Sequence, residues 1–271
     1  MWVLGCDFSS APTPRKPIVM AWGQSAKGVV RLTRVVSHVS LDAWGEALRE
    51  PQAWVGGFDL PFGLPRELIE HLAWPTDWSA CMDHYASLSR AHIRDTFAAF
   101  CAARPVGGKF AHRATDGPAQ SSPSMKWVNP PVAFMMHAGL PHLRAAGVSL
   151  PGLCAGDAQR VALEAYPGLL ARELIGAQSY KSDDRSKQTP ERLLARKQVL
   201  HALDLGQSRL GLRLRLTPAQ HDDLVADASG DKLDAVLCMV QAAWALQQHE
   251  QGHGRYGLPD FDPLEGWIVT A

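Results

Sequence analysis

Five acidic residues sit where elements of regular structure should begin or end. The stretch GCDFSS runs from apolar residues straight into Asp7, and GFDLP does the same with Asp59. A third run, RVALEAYPG, delivers Glu164. GDKLDAVLCMV opens with Asp231 and Asp234, three residues apart and so on one helical face. In a mostly parallel sheet, ligands bind at the carboxyl ends of the strands. Carboxylates gathered there repel one another unless cations neutralise them. Oxygen-only donors suit Mg²⁺ or Mn²⁺, and two such ions about 4 Å apart can hydrolyse a phosphodiester. Asp7, Asp59, Glu164, Asp231 and Asp234 are thus the candidate catalytic residues. Asp7, Asp59, Asp231 and Asp234 are the candidate metal ligands. Plainer alternatives stay open: Asp231 favours the positive end of a helix, Asp234 bonds a nearby donor, and a strand-end aspartate caps a turn.

Substrate contacts would come from Ser9 beside the first aspartate, from His112, Arg113 and Lys126 in a long polar stretch, and from Lys181. The alternative is a turn-forming serine and ordinary solvated charges.

The elements that must position these residues follow from periodicity. MWVLGCDF is a strand, and 16–24 and 27–36 are two more joined by Ser25–Ala26. Ser40 caps a helix over 41–50, and a strand then ends on Asp59. Residues 62–150 break this order and are expected to form a mainly helical insertion, with helical periods over 78–103 and 132–146. Between them, 104–131 is a long polar loop of the kind that serves as a lid. Alternating α/β patterning resumes with a strand over 160–168. Helices follow at 189–203, from Thr217 and over 230–249, and EGWIVTA closes as a short strand. The expected fold class is α/β, with residues 1–61 and 151–271 forming the core.

Composition narrows the class. The chain has 271 residues, 46% hydrophobic and 20% charged, enough for one large domain. No apolar run reaches the roughly 18 residues that span a bilayer. No basic-then-apolar leader is visible, so a membrane partner is not expected. Five cysteines without a CxxC pair fit reduced thiols in a cytoplasmic protein. Net charge is zero, which excludes a uniformly basic nucleic-acid coat. The HEQGH match to a zinc-protease helix at 249–253 is undercut by Gly252 and Gly254, which suit a helix end. There is no Walker A loop and no Gly-x-Ser-x-Gly elbow.

The order βββαβ followed by further α/β units, with Asp7 ending the first strand, Asp59 the fourth and DxxD opening a late helix, resembles the ribonuclease H-like fold. More narrowly, GCDFSS, GFDLPFGLP, EAYPG and GDKLDAVLCMVQAAWA are similar to a family of uncharacterised predicted nucleases with that fold, domain of unknown function 429. The resemblance runs from Gly5 to about Thr270. It implies a mixed sheet in a βββαβα core and a metal-dependent nuclease acting on DNA or RNA by a two-metal mechanism. It also implies Asp7 bridging both ions, Asp59 holding one, and Asp231, Asp234 or both completing the set. Glu164 has no counterpart in the minimal ribonuclease H set. The glutamate of that enzyme's first helix would have to be Glu46 or Glu50, and neither spacing matches. Resolvases of this superfamily bring a homodimer into view. Two alternatives accompany the nuclease reading. One is a nucleotide- or nucleic-acid-binding protein without catalysis. The other is an actin- or sugar-kinase-like phosphotransferase, which GCDFSS suggests although no second copy of the domain is present.

Overall fold

The computed structural model describes residues 1–271. Strands β1 (Trp2–Asp7), β2 (Ile18–Ala26) and β3 (Val29–His38) form an antiparallel meander. Its second turn is Lys27–Gly28, not Ser25–Ala26. Both residues take positive φ, 50° and 74°, as a two-residue hairpin that follows strand twist demands. Gly28 adopts that conformation freely, and the strands run on to reach it.

Helix α1 (Leu41–Leu48) starts at Ser40, whose hydroxyl accepts from the Ala43 N–H at 3.2 Å. It leads to β4 (Trp54–Asp59), parallel to β1. Strand β6 (Asp157–Glu164) pairs parallel with β4. Two short strands, β5 (Val148–Ser149) and β7 (Arg213–Arg215), close the edges. The order is β5-β6-β4-β1-β2-β3-β7, and only β2 runs against the rest.

Alternation along the strands divides the core in two. Leu4, Cys6, Met20 and Phe58 face one layer. That layer holds α1 with α2 (Arg66–His71), α3 (Trp78–Ser87), α4 (Arg90–Ala102), α5 (Asp116–Ala119) and α6 (Val132–Ala145). Residues 62–150 therefore share a continuous apolar core with the sheet. Val3, Val19, Val55 and Leu163 face the other layer, built from α7 (Pro167–Ile175), α8 (Pro190–Leu205), α9 (Pro218–Ala226) and α10 (Asp231–Glu250). No helix is long and apolar enough to cross a membrane.

Four further expectations change. The helical period over 78–103 is two helices, because Ser89 restarts the chain as the cap of α4 and accepts from the His92 N–H at 3.1 Å. The polar stretch 104–131 is not a solvated loop: Arg113, Thr115, Asp116 and Ser124 within it are buried. The strand expected over 160–168 ends at Glu164, and Pro167 opens α7 at a first-turn position where its missing N–H costs nothing. The C-terminal EGWIVTA is not a strand, since the Ile268 N–H goes to the Thr115 hydroxyl and the Val269 N–H to the Glu164 carbonyl.

One contact sets the geometry of everything below. Gly5 and Gly57 are register partners on β1 and β4. A Cβ on Gly5 would come within 2.0 Å of the Ala235 carbonyl oxygen, and one on Gly57 within 2.5 Å of that of Cys238. With no side chain in between, α10 lies backbone-to-backbone on the two central strands.

Candidate functional site

Two residues beyond each glycine, and so on the same face, stand Asp7 and Asp59. They close their strands as register partners, about 4.8 Å apart across a parallel ladder. Because α10 is seated directly on the strands, its first turn arrives at the same place. Asp234 is fully buried, and Asp231 and Asp7 are 6% and 8% exposed. Neither Asp231 nor Asp234 caps the helix. That role falls to Asp227, whose carboxylate accepts the Lys232 N–H at 2.9 Å.

The four aspartates are not equivalent. Asp234 accepts from the Tyr180 hydroxyl and from the Lys181 ammonium. Asp231 accepts from the Lys16 ammonium at 2.7 Å. The carboxylates of Asp7 and Asp59 receive no hydrogen bond from any protein group; Asp7 is buried and Asp59 is half-buried. Burial raises the Asp7 carboxyl well above the usual range, and the charge of Asp234 adds to this against the opposing Lys181. For Asp59, burial and then Asp234 push the carboxyl up to about 7, again against Lys181. Asp234 is raised as well, with burial outweighing its lysine and tyrosine partners. Four acids thus face two ammoniums.

This donor set fits a hard divalent cation: carboxylate oxygens only, two of them free of other bonds, in a place that disfavours bare negative charge. No three His, Cys, Asp or Glu side chains converge at ligating geometry, and lysines hold two of the four aspartates.

Glu164 points away from the aspartates. It is the partner of Phe58, not of Asp59, and alternation turns it to the opposite face. There its oxygens take a two-pronged pair from Arg113 at 2.7 and 2.8 Å and the Phe62 N–H at 2.9 Å. Burial raises its carboxyl despite Arg113. Arg113 in turn spends all five N–H donors on Glu164, Asp116 and the Glu265 carbonyl. It has none left for a phosphate, so its expected role as a substrate contact gives way to a buried structural one. His112 is exposed, Lys126 and Ser9 are half-buried, and none of these three side chains makes a hydrogen bond. Lys181 does reach the site, as the counter-ion of Asp234.

A cavity of about 500 Å³ opens beside the cluster, with Asp59, Glu164, Tyr166, Arg172 and Lys181 in its walls. This is a small-ligand volume. At the far end of α10, His249 stacks on Tyr256 with ring centroids 4.3 Å apart, and the helix stops at Glu250. The HEQGH stretch is therefore a helix end.

Sequence reasoning missed Lys16 and Tyr180, whose partners lie 215 and 54 residues away. The repeated Gly-x-Asp of GCD and GFD is the signal that pairs the first two aspartates. No protein-family model, curated protein or solved structure matches the chain.

Proposed function

We propose that the chain is a Mg²⁺- or Mn²⁺-dependent phosphodiesterase acting on nucleic acid. The observation that carries this reading is the pair Asp7 and Asp59: adjacent at the ends of neighbouring strands and without a single protein donor. Carboxylates crowded together without hydrogen-bond donors weaken a fold unless something uses them. The ribonuclease H-like resemblance is supported by a β3-β2-β1-β4-β6 order in which only β2 is reversed. It is also supported by acids at the ends of β1 and β4 and at the start of α10. Five cysteines without a disulfide, all but Cys154 buried, agree with a cytoplasmic location.

When bound, a divalent ion would supply charge neutralisation and an acidified water. The residues of the chain divide the remaining work. Asp7 and Asp59 would hold the ion, with Asp231 and Asp234 as further carboxylates in reach of the same charge. Lys181 and Lys16 hold those two aspartates in place. Tyr180 fixes the orientation of Asp234.

The two lysines favour a second reading, a nucleotide-binding protein without hydrolysis, since they already satisfy half of the acids. Calorimetric titration of metal-free protein with Mn²⁺, wild type beside Asp7→Asn, tests the first reading. We expect binding that is lost in the variant. Equal titration curves would overturn the assignment of Asp7.

A further inference from the structure

We propose that the cavity beside Asp59 is a one-nucleotide subsite, so that the substrate is a single-stranded or nucleotide-sized phosphodiester, not a continuous duplex. This rests on the phosphodiesterase reading above.

Four observations carry it. First, Asp59 belongs both to the donor-free pair and to the cavity wall, so a phosphodiester held at the aspartates has one side directed into the cavity. Second, about 500 Å³ accommodates one sugar and base, whereas a duplex offers grooves and two backbones, which no cavity of that size can hold. Third, the cavity carries a free cation. Arg172 forms no ion pair, and only two of its five N–H groups are used, on the Ala119 and Gln120 carbonyls at 3.2 and 3.5 Å. Arg113 and Lys181 are already neutralised by acids. Fourth, the wall has an aromatic platform. The Tyr166 ring lies against Gly168, where a Cβ would come within 2.7 Å of it, and its hydroxyl makes no hydrogen bond. Base stacking on such a ring is strong and tolerant of sequence. Gln178 and Ser122, whose side chains also make no hydrogen bond, add polar groups for a base edge. Zero net charge agrees, because duplex affinity comes mainly from many phosphate contacts.

The test uses the full chain in two arms. In the first, adenosine 5′-monophosphate is titrated calorimetrically without divalent ions into wild type, Tyr166→Leu, Tyr166→Phe and Arg172→Gln. Wild type and Tyr166→Phe should bind alike. Tyr166→Leu should bind about tenfold more weakly, and Arg172→Gln, which keeps an amide for the two carbonyls, should lose a similar factor. No binding by wild type, or four equal affinities, would overturn the subsite. In the second arm, a dinucleotide, a single-stranded oligonucleotide and a closed circular duplex are incubated with Mn²⁺. Faster hydrolysis of the first two supports the proposal, and a duplex cut as fast overturns it. Nucleotide binding with no hydrolysis of any substrate would sink the phosphodiesterase reading while leaving the nucleotide site standing.

Discussion

Asp59→Asn should stabilise the metal-free protein at alkaline pH. The Asp59 carboxyl is raised to about 7 in the fold from about 3.9 in an unfolded chain. Below both values the group is protonated in either state and costs nothing. Between them the unfolded chain gives up its proton first, so stability falls as pH rises. Above both, the full difference of about three units stands against folding, at about 1.36 kcal/mol per unit or about 4 kcal/mol. Residual solvent access and relaxation reduce this to about 2 kcal/mol. Asparagine has the same shape, carries no charge and strands no donor, because no protein group bonds Asp59. Thermal melts in a chelator should therefore place Asp59→Asn about 4 °C above wild type at pH 8. The gap should shrink to about a third near pH 5, where little more than one unit of the difference is expressed. Mn²⁺ should then raise the melting temperature of wild type at pH 8 and leave the variant where it is. A variant less stable than wild type at pH 8, or a gap that ignores pH, would refute the account of Asp59 as an uncompensated charge.

Arg113→Met leaves Glu164 and Asp116 buried without their cation and should cost about 3–5 kcal/mol, seen as a melting temperature about 6–10 °C lower; adding Glu164→Gln should recover part of the loss. Gly5→Ala forces a methyl to within 2.0 Å of the Ala235 oxygen and 2.1 Å of the Met239 nitrogen, both backbone atoms. Purified variant should melt far below wild type or fail to fold. Gly117→Ala, where a Cβ meets nothing within 4 Å, should change little.

The aspartates were legible because each lies at the boundary of an element, and boundaries marked by Gly, Pro or a change of period can be read locally. Asp7 and Asp59 end apolar runs, and Asp231 and Asp234 open the longest helical one. The side taken by Glu164 was not legible. Its strand, VALE, is apolar on both faces, so there is no alternation to show which way a given residue points. Only register against β4 decides it. The stretch 104–131 misled for a different reason. Polar composition suggests solvent, yet here Arg113 and Asp116 are inside and satisfied by each other and by Glu164. A fully paired buried network has the same composition as a wet loop. Lys16 and Tyr180 depend on tertiary approach alone, and no local pattern announces them. The edge strands β5 and β7, two and three residues long, are too short to show a period.

The seating of α10 on Gly5 and Gly57 has a consequence for how this site tolerates change. Where side chains space a helix from a sheet, every core substitution alters the gap, and residues at the helix tip drift with it. Here main chain rests on main chain, a hard stop that no rotamer adjusts. The depth of Asp234 relative to Asp7 and Asp59 is therefore fixed by peptide geometry. The surrounding valines and leucines can be exchanged, at a cost in stability, without retuning the carboxylates. One added residue between Asp234 and Ala235 would do the opposite: it leaves the core composition untouched and swings Asp234 by about 100° around the helix, out of reach of its lysine.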